Sequence, residues 1–209
     1  MTTCFYAFHA AGVNPGVWHA MTGRPYLMRI MGFGLRRPKA RIRGTGVAGR
    51  VEAVGKGVAS LQPGDDVFGD CNGSFAEYAC AREDKLVRKP ANLTFEQAAA
   101  VPDSGVTALQ GLRDVAGIKP GQKVLIIGAA GGIGTFAVQI AKSFGAEVTG
   151  VCSSTTKTDL VRSIGADHAL DYTVEDFASG RRYYDVILDT AGNRPLSHLR
   201  PPSPPRELS

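Results

Sequence analysis

The sequence predicts an α/β protein in two parts, a small, mostly antiparallel β domain followed by a doubly wound parallel sheet. Val124 to Ile127 is a short β-branched apolar run that suits a strand buried on both faces. Gly128, Gly131, Gly132 and Gly134 follow at once. Ile133, Phe136, Ala137, Ile140, Ala141 and Phe144 then share one apolar helix stripe, and Gly145 stands where a C-cap glycine belongs. The third observation is a change of pattern at Thr94: short, closely spaced strands lie before it, alternating strands and helices after it.

Strand, glycine turn and helix form the layout that binds a dinucleotide pyrophosphate. The glycines let the backbone turn sharply and approach the phosphates. The free N–H groups and dipole of the helix start hold the negative charge. Two blander readings compete. Val124 to Ala141 carries no charge and has the length of a membrane span, but four glycines in its first half argue against one continuous helix. An ordinary glycine turn is the other, and the strand and helix at the right spacing favour nucleotide binding over it.

Composition is that of a globular domain or two. Of the net charge of +5, much is local, in Arg36, Arg37, Lys39, Arg41 and Arg43. No aromatic residues interleave with this cluster, so it reads as a solvated loop or anion-attracting rim rather than a nucleic-acid surface. Cys4, Cys71, Cys80 and Cys152 form no CxxC pair and fit scattered thiols in a reducing compartment. No basic residue precedes the apolar start, Met1 to Val13, which argues against a secretory signal, and the cytoplasm is the expected compartment.

Met1 to Val13 suits one strand, and Asn14-Pro15-Gly16 a turn. Residues 17–43 show no clean period. Gly44 to Gly57 alternates as a strand interrupted by glycines, and further short strands are expected at Val67-Phe68, Ser74 to Ala81 and Lys85 to Val87. Thr94 and Gln97 form a capping box that opens a short helix through Ala100, ended by Pro102. Asp103 or Ser104 is expected to cap a second helix with Ala108, Leu109, Leu112, Val115 and Ala116 on one face. Three more strands are expected at Glu147 to Cys152, Asp167 to Tyr172 and Tyr184 to Asp189, with a helix at Asp159 to Ile164. The domains are thus residues 1–93 and 94–193. Five of the chain's twelve prolines fall in the last fifteen residues, so 194–209 read as a disordered or polyproline tail.

Val13-Asn14-Pro15, Gly44 to Val51, Gln62 to Val67, Gly73 to Tyr78, Thr107 to Gln110 and the glycine loop occur in that order. Together they resemble the zinc-independent medium-chain dehydrogenase/reductases of the quinone oxidoreductase group, over about residues 8–193. The resemblance implies a partial GroES-like β domain followed by a partial Rossmann domain, with the site in the cleft between them. It also implies a quinone or enone substrate and, for full-length relatives, a homodimer. Zinc enzymes of the superfamily place a Cys ligand near Asn14 and a Gly-His-Glu at Gly44-Thr45-Gly46. Neither ligand is here, nor is the closely spaced Cys run of the structural zinc. No metal is expected.

An NAD site usually carries Asp or Glu after the second strand, to bind the ribose 2′-OH. That stretch here reads Val151-Cys152-Ser153-Ser154-Thr155-Thr156-Lys157. Ser153 and Ser154 offer hydrogen bonds and Lys157 a positive charge to a 2′-phosphate, so NADPH is the expected cofactor. Lys157 equally suits a solvated helix start. At positions matching the family, Ala130, Gly131, Gly132 and Ile133 would wrap the pyrophosphate, Tyr172 would sit near the adenosine phosphate or ribose, Asn193 would contact the cofactor, and Thr107 would lie by the nicotinamide. Asn14 would line the substrate side as the one catalytic candidate, although Asn-Pro has a plain turn reading as well.

The chain departs from the family in places. Gly46 replaces a usual acidic residue and Asp103-Ser104 a more apolar pair. Relatives begin with an extra strand hairpin and continue past Asn193, so a chain truncated at both ends is expected. An uncovered fourth strand and a β domain short of strands would make it poorly stable, aggregation-prone and weak or inactive. The leading expectation is an NADPH-dependent, metal-free oxidoreductase that passes hydride to a quinone or activated C=C bond, with the proton from water. The alternative is a non-catalytic NADPH-binding or interaction protein.

Overall fold

The computed structural model describes residues 3–24, 26, 42–175, 183–192 and 195. Asn193, all of the proline-rich tail but Pro195, and the basic residues Arg36, Arg37, Lys39 and Arg41 lie outside them. The chain divides into two compact units, Met1–Val106 and Thr107–Ser209.

The first unit is a five-stranded antiparallel sheet. Strands β1 (Thr3–Ala11), β2 (Gly46–Val54), β3 (Asp66–Asp70), β4 (Tyr78–Arg82) and β5 (Leu86–Arg88) stand in the order β4-β1-β2-β3-β5. Alternation along them sends Cys4, Tyr6, Val47, Val51, Val67 and Leu86 to one buried face. Burying one such Val or Leu side chain stabilises the unit by roughly 1.5–3 kcal/mol.

Asn14 does more than turn the chain. It caps helix α1 (Pro15–Thr22), its side-chain oxygen accepting from Val17 N at 2.9 Å, with Pro15 in the first turn. Proline suits that position because its missing N–H would have no helical partner there. The capping box forms as expected: Thr94 Oγ1 accepts from Gln97 N and Gln97 Oε1 from Thr94 N, opening α2 (Phe95–Ala99). Ala98 and Ala99 pack with Ala48 and Phe68 in a second cluster on the sheet. Residues 94–106, grouped with the later domain in the sequence reading, therefore sit with the β unit.

Helix α3 (Val101–Leu109) starts ahead of its expected cap, with Pro102 and Asp103 inside its first turn. It runs into a π-helical stretch, Gln110–Val115. The wider turn shifts the side-chain period, so Ala108 and Leu112 are buried while Val115, expected on the same face, is 85% exposed.

The second unit is a parallel sheet of β6 (Lys123–Ile127), β7 (Glu147–Cys152), β8 (His168–Asp171) and β9 (Val186–Asp189), in the order β8-β7-β6-β9. Helix α4 (Gly132–Ser143) joins β6 to β7, and α5 (Thr155–Ser163) joins β7 to β8. Ala137, Val138 and Ala141 of α4 and Val161 of α5 pack on Val124, Ile126 and Val148. Gly145 at φ 78° ends α4: its N–H donates to Lys142 O, and Ala146 N to Ala141 O, closing two carbonyls the helix end leaves open. The uncharged run from 124 to 141 is thus a strand, a turn and a helix. Among the described residues no helix is long and apolar enough to cross a membrane.

Candidate functional site

A pocket of about 440 Å³ opens at the C-terminal edge of the parallel sheet. Each strand brings a wall: Ile127 ends β6, Cys152 ends β7, Tyr172 follows β8 and Asp189 ends β9. Open α/β sheets bind ligands at this edge, where the strand order reverses, here between β6 and β9.

The floor is the glycine loop. Gly128 adopts φ 80°, a left-handed conformation that side chains disfavour. Gly134 packs so tightly on the loop that a Cβ there would lie 2.1 Å from Gly128 O. The helix start is thereby pressed against the strand end. Gly131 is the N-cap of α4 and no side chain caps it, nor is any acidic residue in the first turn. The first-turn N–H groups have no intrahelical acceptor and present partial positive charge. Gly131 and Ala130 line the pocket. Gly132 and Ile133 do not, since Ile133 turns its side chain onto the core.

The far wall carries the charge. Lys157 Nζ donates to Ser153 Oγ at 2.9 Å, and both residues line the pocket. Ser154 does not line it. Its hydroxyl caps α5, accepting from Lys157 N at 3.4 Å. The cap brings Lys157 into the first turn, where the 47%-exposed Tyr172 faces the same space. Asp171, opposite Cys152 on β8, is engaged by Thr173, whose N and Oγ1 donate to its Oδ1 at 2.9 and 2.6 Å. Burial, and then the nearby Asp171 carboxylate, push the Cys152 thiol up, so it lines the pocket as a protonated group.

Asp189, Thr190 and Ala191 complete the site, and the sequence reading missed them. Asp189 Oδ1 accepts from Ala191 N and Gly192 N at 2.9 Å each, and Thr190 Oγ1 donates to Ile127 O at 2.8 Å. These bonds fix the turn after β9 beside Gly128. The signal for them was available, because strand four ends at the same edge as the glycine loop.

Asn14 and Thr107 line no part of this pocket. Thr107 is exposed on α3. Asn14 belongs to the first unit, where its Nδ2 donates to Asp103 Oδ2 at 2.8 Å. Thr45 Oγ1, set by a turn at Gly44 with φ 90°, reaches the same carboxylate at 2.9 and 3.0 Å. Burial, and then the Asp103 charge, raise the Asp70 carboxyl above its ordinary range. Among the described residues no group of three or more His, Cys, Asp or Glu is arranged to hold a metal ion.

Comparison with known proteins covers both units. Residues 6–91 match the family described as alcohol dehydrogenase GroES-like domain, and residues 132–198 the family described as zinc-binding dehydrogenase. The chain is similar to the chloroplast envelope quinone oxidoreductase homolog of Arabidopsis thaliana, 36% identical over 92% of this chain and 60% of that protein. It is also similar to the NADPH-dependent alkenal/one oxidoreductase of the same plant, 38% identical over 74% of this chain and 43% of that protein. Among solved structures, the quinone oxidoreductase from Coxiella burnetii superposes with a TM-score of 0.81 at 30% identity, covering 91% of this chain and 60% of that one. The chain thus spans about half the length of the curated relatives it matches.

Proposed function

Because the chain belongs to the medium-chain dehydrogenase/reductase family, and is quinone oxidoreductase-like within it, we propose that it serves NADPH-dependent reduction of a quinone or an activated C=C bond. The observation that carries this reading is the pocket at the sheet edge, with an uncapped α4 start on one side and the Lys157–Ser153 pair on the other. One end suits a pyrophosphate and the other a 2′-phosphate.

The roles of the residues follow. Ala130 and Gly131, with the backbone N–H groups of Gly132 and Ile133, hold the pyrophosphate. Lys157 and Ser153 bind the 2′-phosphate, and Tyr172 lies against the adenosine end. Ser154 acts through its cap, which sets Lys157. Thr190 and Ala191 line the pocket beside the glycine loop, and the family resemblance assigns Thr107 to the nicotinamide and Asn193 to a cofactor contact. Bound NADPH would supply the hydride, and water the proton, since none of these side chains is a general acid. A metal-free reaction is supported by Asn14 and Thr45. Both stand where zinc enzymes of the superfamily carry ligands, and both donate to Asp103. The names of the two plant relatives, a quinone and an alkenal/one oxidoreductase, support the substrate class.

Steady-state NADPH oxidation by residues 1–209 with 1,4-benzoquinone and with a simple enone tests the proposal. Turnover of either supports it. NADPH binding without turnover of any quinone or enone would instead favour a binding protein.

A further inference from the structure

We propose that Asp103 is a positioning residue that fixes the orientation of the Asn14 amide, and so sets a hydrogen-bond donor for a carbonyl oxygen of the substrate. This rests on the oxidoreductase reading above and on the family resemblance, which assigns Asn14 to the substrate side.

The argument begins with the two ends of one amide. Asn14 Oδ1 accepts from Val17 N at 2.9 Å, and Asn14 Nδ2 donates to Asp103 Oδ2 at 2.8 Å. Flipping the amide would set its oxygen against a carboxylate and its NH2 against a backbone N–H. Both bonds would become repulsions, so only one orientation satisfies both partners. An Nδ2 carries two hydrogens. One goes to Asp103, and among the described residues the other has no acceptor. Its direction is fixed by the first.

Asp103 is itself held. Thr45 Oγ1 donates to the same carboxylate at 2.9 and 3.0 Å, from the turn that leads into β2. The next residue, Gly46, leaves the space: a Cβ there would lie 3.0 Å from Asp103 Oδ2 and 2.9 Å from Ala99 O. A side chain at 46 would displace either the carboxylate or the end of α2. Loss of the side chain on β2 and gain of a carboxylate on α3 are therefore one arrangement. The helix start also favours the anion, because Asp103 lies in the first turn of α3. The bond to Asn14 is charge-assisted, and hence shorter and stronger than one between neutral amides.

The test uses the full chain with its four asparagines labelled with nitrogen-15. The Asn14→Ser variant assigns the Asn14 side-chain signal by its loss while keeping a capping hydroxyl. In the parent protein the two Asn14 amide protons should be well separated. Asp103→Asn should move the bonded proton upfield, because the acceptor loses its charge, and keep the pair distinct. Asp103→Ala should bring the two together. With benzoquinone, Asp103→Ala should lower kcat/KM about tenfold, and Asp103→Asn should restore it to within about threefold. The Kd for NADPH should be the same in all three. Identical Asn14 signals in the parent and Asp103→Asn would overturn the proposal, whether or not the alanine variant folds. So would altered Asn14 signals with unaltered kcat/KM. If the parent turns over no quinone, the oxidoreductase reading fails instead, and the amide signals alone decide the role of Asp103.

Discussion

The ammonium of Lys157 lies 2.9 Å from the hydroxyl of Ser153, joining the first turn of α5 to the end of β7 on the pocket wall. Ser154 holds the pair in place by capping the helix between them. A cation and a hydroxyl are thus brought together at this edge, where the proposed function puts the 2′-phosphate.

Lys157→Ala should therefore weaken NADPH binding about tenfold and leave NADH binding nearly unchanged. The side chain is exposed, which keeps the effect well below that of a buried pair. Fluorescence titration of the parent and variant with both cofactors measures it. If the parent binds NADH as tightly as NADPH, the role given to Lys157 is wrong.

The glycine loop offers a contrast between packing and access. Gly134→Ala would place a methyl carbon 2.1 Å from Gly128 O and 2.7 Å from the Ala129 backbone, and backbone atoms have nowhere to go. We expect a stability loss of about 3 kcal/mol, after an offset of about 1 kcal/mol from the better helix propensity of alanine. At Gly131 the tightest contact would be 3.2 Å, to Gly128 O. Gly131→Ala should cost less than about 1 kcal/mol of stability and act on the pocket instead, weakening dinucleotide binding. Chemical denaturation and cofactor titration of the two variants separate the effects. Equal destabilisation by both would show that the loop is not packed as described.

The parallel unit was legible in the sequence because its signals are local. A β-branched run, a glycine cluster and an apolar stripe each lie within one element, and β7 occupies the expected residues, Glu147 to Cys152. The elements misread are those decided by neighbours. Val115 fits a continuous α period, but the π-helical stretch turns it outward. Asp103 has the look of a cap, yet its carboxylate serves Asn14 and Thr45, far away in sequence. Ala130, Gly131, Ser153, Lys157 and Tyr172, expected from the stretch after the second strand and from the family resemblance, all line the pocket. Asp189 and Thr190 were not named, although the expected fourth strand ends at Asp189, because it is the register of β9 on β6, Ile127 with Asp189, that sets them beside the glycine loop.

The last prediction concerns pH. Lys142 Nζ lies 2.8 Å from both Asp167 carboxylate oxygens, and Asp167 Oδ2 accepts from Val148 N at 2.7 Å. Asp167 N also donates to Val148 O, so this residue pins the entry of β8 against β7. Burial pulls the Asp167 carboxyl upward, but the Lys142 ammonium and the Val148 N–H together outweigh it and hold it below its ordinary value. A carboxylate with a lowered folded pKa stabilises the fold fully above its unfolded pKa, and loses that contribution as pH falls through the folded one. The stabilisation should therefore be complete near neutral pH, decline below about pH 4 and vanish in stronger acid. With side chains 34% and 36% exposed, solvent screening limits the charge pair to about 1 kcal/mol. Asp167→Asn keeps an oxygen for Val148 N and removes the charge. Urea denaturation of the parent and variant from about pH 7 to about pH 3 should show a gap that closes as the carboxylate protonates. A gap that stays constant across this range would mean that the carboxylate acts by shape and hydrogen bonding, with no contribution from its charge.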